Sequence, residues 1–255
     1  MKKMGNQLQT IWEAKKSRRP LFAILIDPGK LPIDAIQELI ILAKDCLVDF
    51  IFVGGSSCNV NVFNETISFL KVEQSRPVII FPGSELQVSE NADALLLLSL
   101  ISGRNPELLI GKHVEAAKHI IDSGLEVIPT GYILIQSGKT TTVERVSETK
   151  SLPRNNPELT LSTALAGQLL GMQLIYLEAG SGAENHVPIE TIKLLSSNLN
   201  IPIIVGGGIT DADKLHQVID AGADLVVVGN ALEKDPQLLK QFSQVLQQYQ
   251  SITMN

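Results

Sequence analysis

Apolar residues recur along the chain in two rhythms. Short, near-continuous apolar runs, of the kind expected in strands buried on both faces, alternate with stretches whose apolar positions fall three and four apart, the stripe of an amphipathic helix. Leu21 to Asp27 is the first such run, and it ends in a carboxylate. Pro28-Gly29-Lys30 then turns the chain, and Ile36, Leu39, Ile40 and Ala43 mark one helix face. The unit repeats, with strands predicted at Phe50 to Val53, Val78 to Phe81, Ala94 to Leu98, Glu126 to Thr130, Leu174 to Glu178, Pro202 to Val205 and Leu225 to Val228. Helices are predicted over Gln7 to Lys16, Val60 to Leu70, Pro157 to Leu170, Pro188 to Ser196 and Leu238 to Tyr249. Another begins at Asn105-Pro106, carries Ile110, Val114, Ala117 and Ile121 on one face and stops at Gly124. A further helix follows Thr210 and Asp213, read as a capping pair, with Leu215, Val218 and Ile219 inward and Gly222 at its end.

Eight strands mostly separated by helices predict an α/β fold in which a parallel sheet closes into a TIM (β/α)8 barrel, as one domain over residues 1–255. A doubly wound open sheet competes, but its G-x-G-x-x-G fingerprint is absent at the first strand. Only about a dozen residues separate the third and fourth strands, near the lower limit for a helical crossover. The third helix is therefore expected to be short or missing, leaving a gap in the outer ring. Gly138 to Asn156 is polar and aperiodic, which predicts a mobile lid or an elaborated surface loop.

Composition narrows the partners. With 21 Lys and Arg against 27 Asp and Glu, the formal charge of -6 argues against a broad nucleic-acid footprint. Lys15 to Arg19 is a basic run, but it precedes the first strand and so falls at the barrel face opposite the usual active site. Cys46 and Cys58 show no paired-ligand spacing, which fits a reducing cytosol rather than a disulfide framework or a zinc site. No apolar stretch has the length of a membrane span, and the N-terminus lacks the apolar core of a signal peptide. A soluble, cytoplasmic protein is expected.

The chemistry gathers where the predicted strands end. In Leu174-Ile-Tyr-Leu-Glu-Ala-Gly-Ser-Gly-Ala183, strand alternation puts Tyr176, Glu178 and Gly180 on one side. A phenol and a carboxylate thus converge before a Gly-Ser-Gly turn whose backbone N–H groups can approach an anion. Gly206-Gly207-Gly208 and Gly229-Asn230 follow strands seven and eight, where barrels of this type commonly hold phosphate. Across the mouth lie Asp27, Lys30 and Gly54-Gly55-Ser56, a carboxylate and a hydroxyl of the kind that suits Mg²⁺ with substrate phosphates completing its shell. Each feature also has a plain alternative: a solvated strand-end acid, tight-turn glycines, a helix-capping Asp27, a solvated Lys30. The four histidines form no ligand spacing, although His186 lies in the loop after Glu178.

Taken together, Leu-Ile-Asp27-Pro-Gly-Lys30, Val-Gly-Gly-Ser56, Pro129-Thr-Gly-Tyr132, Tyr176-Leu-Glu-Ala-Gly-Ser-Gly182, Val-Gly206-Gly-Gly-Ile209 and Val-Gly229-Asn230 resemble the geranylgeranylglyceryl phosphate synthase family, bacterial heptaprenylglyceryl relatives included, over essentially the whole chain. The resemblance implies a cytosolic, Mg²⁺-dependent prenyltransferase on a modified barrel whose third helix is replaced. It implies that Asp27 and Ser56 bind the Mg²⁺ carrying a polyprenyl diphosphate, most simply geranylgeranyl diphosphate, with Lys30 near the diphosphate. By the same resemblance Tyr176, Leu177, Glu178, Ala179, Gly180, Ser181, Gly182, Gly206, Gly207, Gly229 and Asn230 bind sn-glycerol 1-phosphate. Glu178, with Tyr176 beside it, would orient the C3 hydroxyl and accept its proton, and Tyr132 would line the prenyl groove or simply pack. A homo-oligomer, with transient membrane contact for product release, is also implied. Two other functions compete at this stage, a phosphosugar isomerase or lyase using Glu178 as base and a non-catalytic phosphate-binding barrel.

Overall fold

Eight parallel strands hydrogen-bond in chain order and close on themselves through the pairing of the first with the last. They are β1 (Leu21–Ile26), β2 (Phe50–Val53), β3 (Val78–Ile80), β4 (Ala94–Leu100), β5 (Glu126–Leu134), β6 (Leu174–Glu178), β7 (Ile203–Gly206) and β8 (Leu225–Val228). The computed structural model describes residues 5–55, 58–73, 76–138 and 141–253. Around the barrel run α1 (Asn6–Ser17), α2 (Ile33–Lys44), α3 (Val60–Glu73), α4 (Lys112–Ser123), α5 (Thr142–Ser147), α6 (Pro157–Leu169), α7 (Ile189–Asn198), α8 (Ala212–Asp220), α9 (Asn230–Lys234) and α10 (Leu238–Thr253).

Apolar runs rather than alternating patterns encode these strands because both faces are covered. Phe22, Ile24 and Ile26 face outward into the helix layer with Ile36, Leu39 and Phe242, while Leu21, Ala23, Phe50, Phe52 and Ile204 fill the barrel interior. The N-terminal end of the barrel is plugged by α1, whose Leu8, Ile11 and Ala14 join the interior. Gly5 offers this helix no side-chain cap; instead the Glu126 carboxylate, at the start of β5, accepts the free N–H groups of Gln7 and Leu8 at 2.9 and 2.8 Å. Among the described residues that end is closed, which leaves the C-terminal face to a ligand.

No helix lies between β3 and β4, as the short crossover predicts. The buried Gln87 does the joining there: its Nε2 donates to the Gly55 carbonyl at 2.7 Å, and its Oε1 accepts from Gly83 N at 2.8 Å. One side chain thus ties the turn after β2 to the turn after β3.

Three expectations need correction. The inward face of α4 is Ala116 and Ile120, whereas Ile110, Val114 and Ile121 are exposed. A π turn over Glu107–Gly111 leads into α4, and its wider i→i+5 winding sets the helix phase one residue back from the predicted stripe. The cap of α8 is Asp211, not the Thr210 and Asp213 pair; its carboxylate accepts from Lys214 N at 2.8 Å. Finally, the described part of the polar segment after Gly138 is not aperiodic and lies only partly on the surface, with Arg145, Glu148, Lys150 and Asn155 exposed. Thr141 and Glu144 form a reciprocal capping box on α5, the Glu144 carboxylate also binds Ser151, and Thr141, Ser147, Thr149 and Ser151 are all buried. Among the described residues, no helix is long and apolar enough to cross a membrane.

Gln87→Ala removes both hydrogen bonds of this joint, and a cost of about 2 kcal/mol, roughly 1 kcal/mol for each, is expected. Urea unfolding measures it, and a midpoint equal to the parent's would deny Gln87 its joining role.

Candidate active site

Strand β6 brings Tyr176 and then Glu178 to the interior side of its C-terminal end, as period-two alternation requires. Tyr176 is fully buried among aromatic rings, with centroids 5.1 Å from Phe81 and 5.4 Å from Tyr132. Register places Tyr132 directly opposite Tyr176 on β5, so both phenols reach the same carboxylate. Glu178 accepts hydrogen bonds from Tyr176 and Tyr132, and from Gly180 N at 2.6 Å. Burial pushes its pKa up to about 7, and these three donors oppose the rise. The phenols are held well above their usual value, by burial first and by the neighbouring Glu178 charge second. They therefore remain donors at neutral pH, while Glu178 sits close to half-ionised.

The glycines around this carboxylate make room for it. A Cβ on Gly206, paired with Glu178 across the β6–β7 register, would lie 2.4 Å from the Tyr176 hydroxyl. A Cβ on Gly207 would lie 2.5 Å from Glu178 Oε1, and its φ of +83° is one that L side chains rarely adopt. From the other side the segment entering α5 rests on Gly180, where a Cβ would meet Thr141 at 2.2 Å.

At the mouth, loops from three strands meet. Asp27 follows β1 and is buried; its Oδ1 accepts from Gly29 N at 3.0 Å and its Oδ2 pairs with Lys30 Nζ at 3.1 Å. Gly55 is obligatory beside it, because a Cβ there would stand 2.0 Å from Asp27 Oδ1. Lys30 Nζ also donates to Ser181 Oγ at 3.3 Å, Ser181 donates to Asn230 Oδ1 at 2.8 Å, and Asn230 Nδ2 donates to Glu233 at 3.1 Å. Burial raises the Glu233 pKa, Lys30 opposes the rise and Asp27 adds to it.

The carboxylates of Asp27, Glu178 and Glu233, both phenols, Lys30, Ser181 and Asn230 border one cavity of about 690 Å³. Its polar end is lined by Asp27, Lys30, Glu178, Ser181, Gly207 and Asn230. Its apolar end passes between the helix-free β3–β4 connection and α4, against Val88, Leu97, Leu108, Ala116 and Ile120. The missing helix is what leaves this passage.

Of the residues singled out from sequence, Tyr132, Gly180, Gly182 and Gly229 also border the cavity. Leu177 points outward into the helix layer, and neither it, Ala179 nor Gly206 lines the space. Ser56 lies outside the described residues. His186 does not line the cavity; its Nδ1 is 2.6 Å from the Val187 carbonyl. Sequence reasoning missed Glu233, three residues past Asn230, and the second phenol on Glu178, which only the β5–β6 register reveals. It also missed that His113 borders the apolar end, with Nε2 2.9 Å from the Leu98 carbonyl.

Comparison with known proteins agrees with this geometry. Residues 12–246 match the model of the PcrB family. The geranylgeranylglyceryl phosphate synthase of Spirosoma linguale is 48% identical over 235 residues, covering 92% of this chain and 94% of that protein. The synthase of Thermococcus kodakarensis is 39% identical, with 92% of each chain covered. Among solved structures, the (S)-3-O-geranylgeranylglyceryl phosphate synthase of Thermoplasma acidophilum, in complex with substrate sn-glycerol-1-phosphate, superimposes with a TM-score of 0.90 at 33% identity, covering 96% of this chain and 100% of that one. A closed barrel without a helix between β3 and β4, a buried carboxylate under two phenols and a passage that is polar at one end and apolar at the other thus accompany a match along nearly the whole sequence, and the chain belongs to the PcrB family.

Proposed function

We propose that the chain transfers a polyprenyl group, foremost geranylgeranyl, from its diphosphate to the C3 hydroxyl of sn-glycerol 1-phosphate, acting in the cytoplasm and forming the first ether bond of an ether lipid. The observation that carries this reading is the shape of the cavity: one continuous space joins an anion-suited polar mouth, with Glu178 at its floor, to an apolar channel. A phosphosugar enzyme has no use for such a channel. The named relatives and the substrate-bound structural neighbour support the same assignment.

The acceptor phosphate would lie against the backbone of Gly180 to Gly182, Gly207, Gly229 and Asn230, where the absence of side chains lets N–H groups approach oxygen. Its C3 hydroxyl would then point to Glu178. Transfer breaks the allylic C–O bond, whose electron pair leaves with diphosphate, and forms a C–O bond from the glycerol oxygen, whose proton passes to Glu178. A carboxylate near half-ionised at neutral pH is a fitting proton acceptor. Tyr132 and Tyr176 stabilise its ionised form and hold its orientation. Lys30 lies beside the departing charge, and the apolar passage orders the tail so that the allylic carbon faces the hydroxyl.

Mg²⁺ belongs to the proposal as well. Asp27 suits it, being a buried carboxylate on the cavity wall, since Mg²⁺ is usually held by only one or two carboxylates plus substrate phosphates; Ser56, outside the described residues, is the hydroxyl ligand that the resemblance adds. When bound, the ion neutralises charge on the diphosphate. Self-association, as the resemblance implies, completes the proposal; light scattering should give a mass of at least two chains.

Transfer from labelled geranylgeranyl diphosphate should occur with sn-glycerol 1-phosphate, should prefer it to the 3-phosphate, and should stop on chelation of Mg²⁺. No ether product with any prenyl donor sinks the reading. Glu178→Gln keeps the shape and removes the base, so kcat should fall by about a hundredfold or more with little change in unfolding midpoint. Because Glu178 must be ionised to accept a proton, kcat/KM should fall as pH drops through about 7. Tyr132→Phe removes a donor to the ionised form, so the same limb should move to higher pH; a limb that stays or moves lower contradicts the role given to that phenol.

A further inference from the structure

Glu233 is half-buried on α9, borders the cavity and takes no part in the chemistry proposed above. It stands at the end of a hydrogen-bond chain that crosses the mouth through the loops after β8, β6 and β1: Glu233 to Asn230 at 3.1 Å, Asn230 to Ser181 at 2.8 Å, Ser181 to Lys30 at 3.3 Å and Lys30 to Asp27 at 3.1 Å. The middle members are ambiguous by themselves. A carboxamide can present either end, and a hydroxyl can donate in either direction. The two ends are not ambiguous. An ionised carboxylate only accepts, and an ammonium only donates.

Polarity therefore propagates from Glu233. Its acceptor oxygen draws the Asn230 NH₂ toward itself, which turns Asn230 Oδ1 toward Ser181. Ser181 spends its proton on that oxygen and so faces Lys30 with a lone pair. Were Asn230 reversed, its NH₂ would meet Ser181, the hydroxyl proton would lose its acceptor in the chain, and Ser181 would have to accept from both Asn230 and Lys30 with its proton turned elsewhere in the mouth. We propose that Glu233 is a positioning residue that fixes which end of the Asn230 carboxamide faces Ser181, and with it where the Ser181 proton points, and thereby shapes the phosphate site of the acceptor. The inference rests on the transferase reading for what that phosphate belongs to, and on the geometry alone for the positioning.

The full-length protein and its Glu233→Leu, Glu233→Gln and Asn230→Ala variants test this in two assays, acceptor kinetics and calorimetric titration with inorganic phosphate. Glu233→Leu should raise the KM for sn-glycerol 1-phosphate and weaken phosphate binding by about tenfold, the value of a hydrogen bond to a charged group, with kcat changed by less than about threefold. Glu233→Gln should recover most of the loss, since its carbonyl can still accept from Asn230. In the Asn230→Ala background, Glu233→Leu should add less than about twofold, because its effect travels through Asn230. If Glu233→Leu is poorly folded by circular dichroism, Glu233→Ala takes its place.

Parent-like KM and phosphate affinity in the apolar variant would overturn the proposal, as would a glutamine variant no better than leucine, or full multiplicative loss in the double variant. A parent protein that binds phosphate but makes no ether would defeat the transferase reading instead, and the phosphate titrations would still decide the positioning.

Discussion

The structure is organised around a carboxylate kept out of water. Transfer of an ionised carboxylate to an apolar interior is strongly unfavourable, and a group left without partners there takes up a proton instead. Glu178 is held between those outcomes by two phenols and one backbone N–H, which bring it to about neutral pH rather than far above it. Each supporting group makes its own demand on the fold. The phenols require β5 and β6 to pair in the register that sets Tyr132 against Tyr176, and the N–H comes from Gly180, whose φ of +101° is open to few other residues.

The glycines after β7 illustrate how one requirement becomes another. Seen as anion-binding loops, Gly206 and Gly207 would be interchangeable with glycines elsewhere. In the folded barrel they are also the clearance for Tyr176 and Glu178, since side chains there would lie within 2.5 Å of the reactive groups. Gly55 has the same relation to Asp27. A site that exposes main-chain N–H groups to a phosphate, and at the same time buries a base beneath it, leaves little volume for any Cβ at the strand ends.

Loss of a helix between β3 and β4 would ordinarily expose the barrel wall. Here the gap is bounded by α4 and by a connection tied down through Gln87, and its floor is apolar, so it becomes a channel continuous with the mouth. The same omission that weakens the outer ring supplies a place for a long apolar chain. Closure of the opposite barrel end by α1, capped from β5 by Glu126, leaves the C-terminal face as the entrance.

The sequence by itself determined the eight strands, the closed barrel, the missing helix and the cluster of strand-end residues from Asp27 to Asn230, because burial on both faces and glycine turns are local properties written in short windows of chain. It misjudged α4 because apolar residues lie on both sides of that helix and a π turn decides which side faces in. It misjudged the buried hydroxyls of the segment after Gly138 because hydroxyl-rich sequence reads as solvent-exposed until Glu144 is seen binding Thr141 and Ser151 together. Only the tertiary structure decided that Tyr132 joins Tyr176 on Glu178, that Gln87 replaces a helix and that Glu233 reaches the mouth through Asn230. Those are contacts between segments far apart in the chain, or directions of hydrogen bonds, and neither leaves a periodic trace in the order of residues.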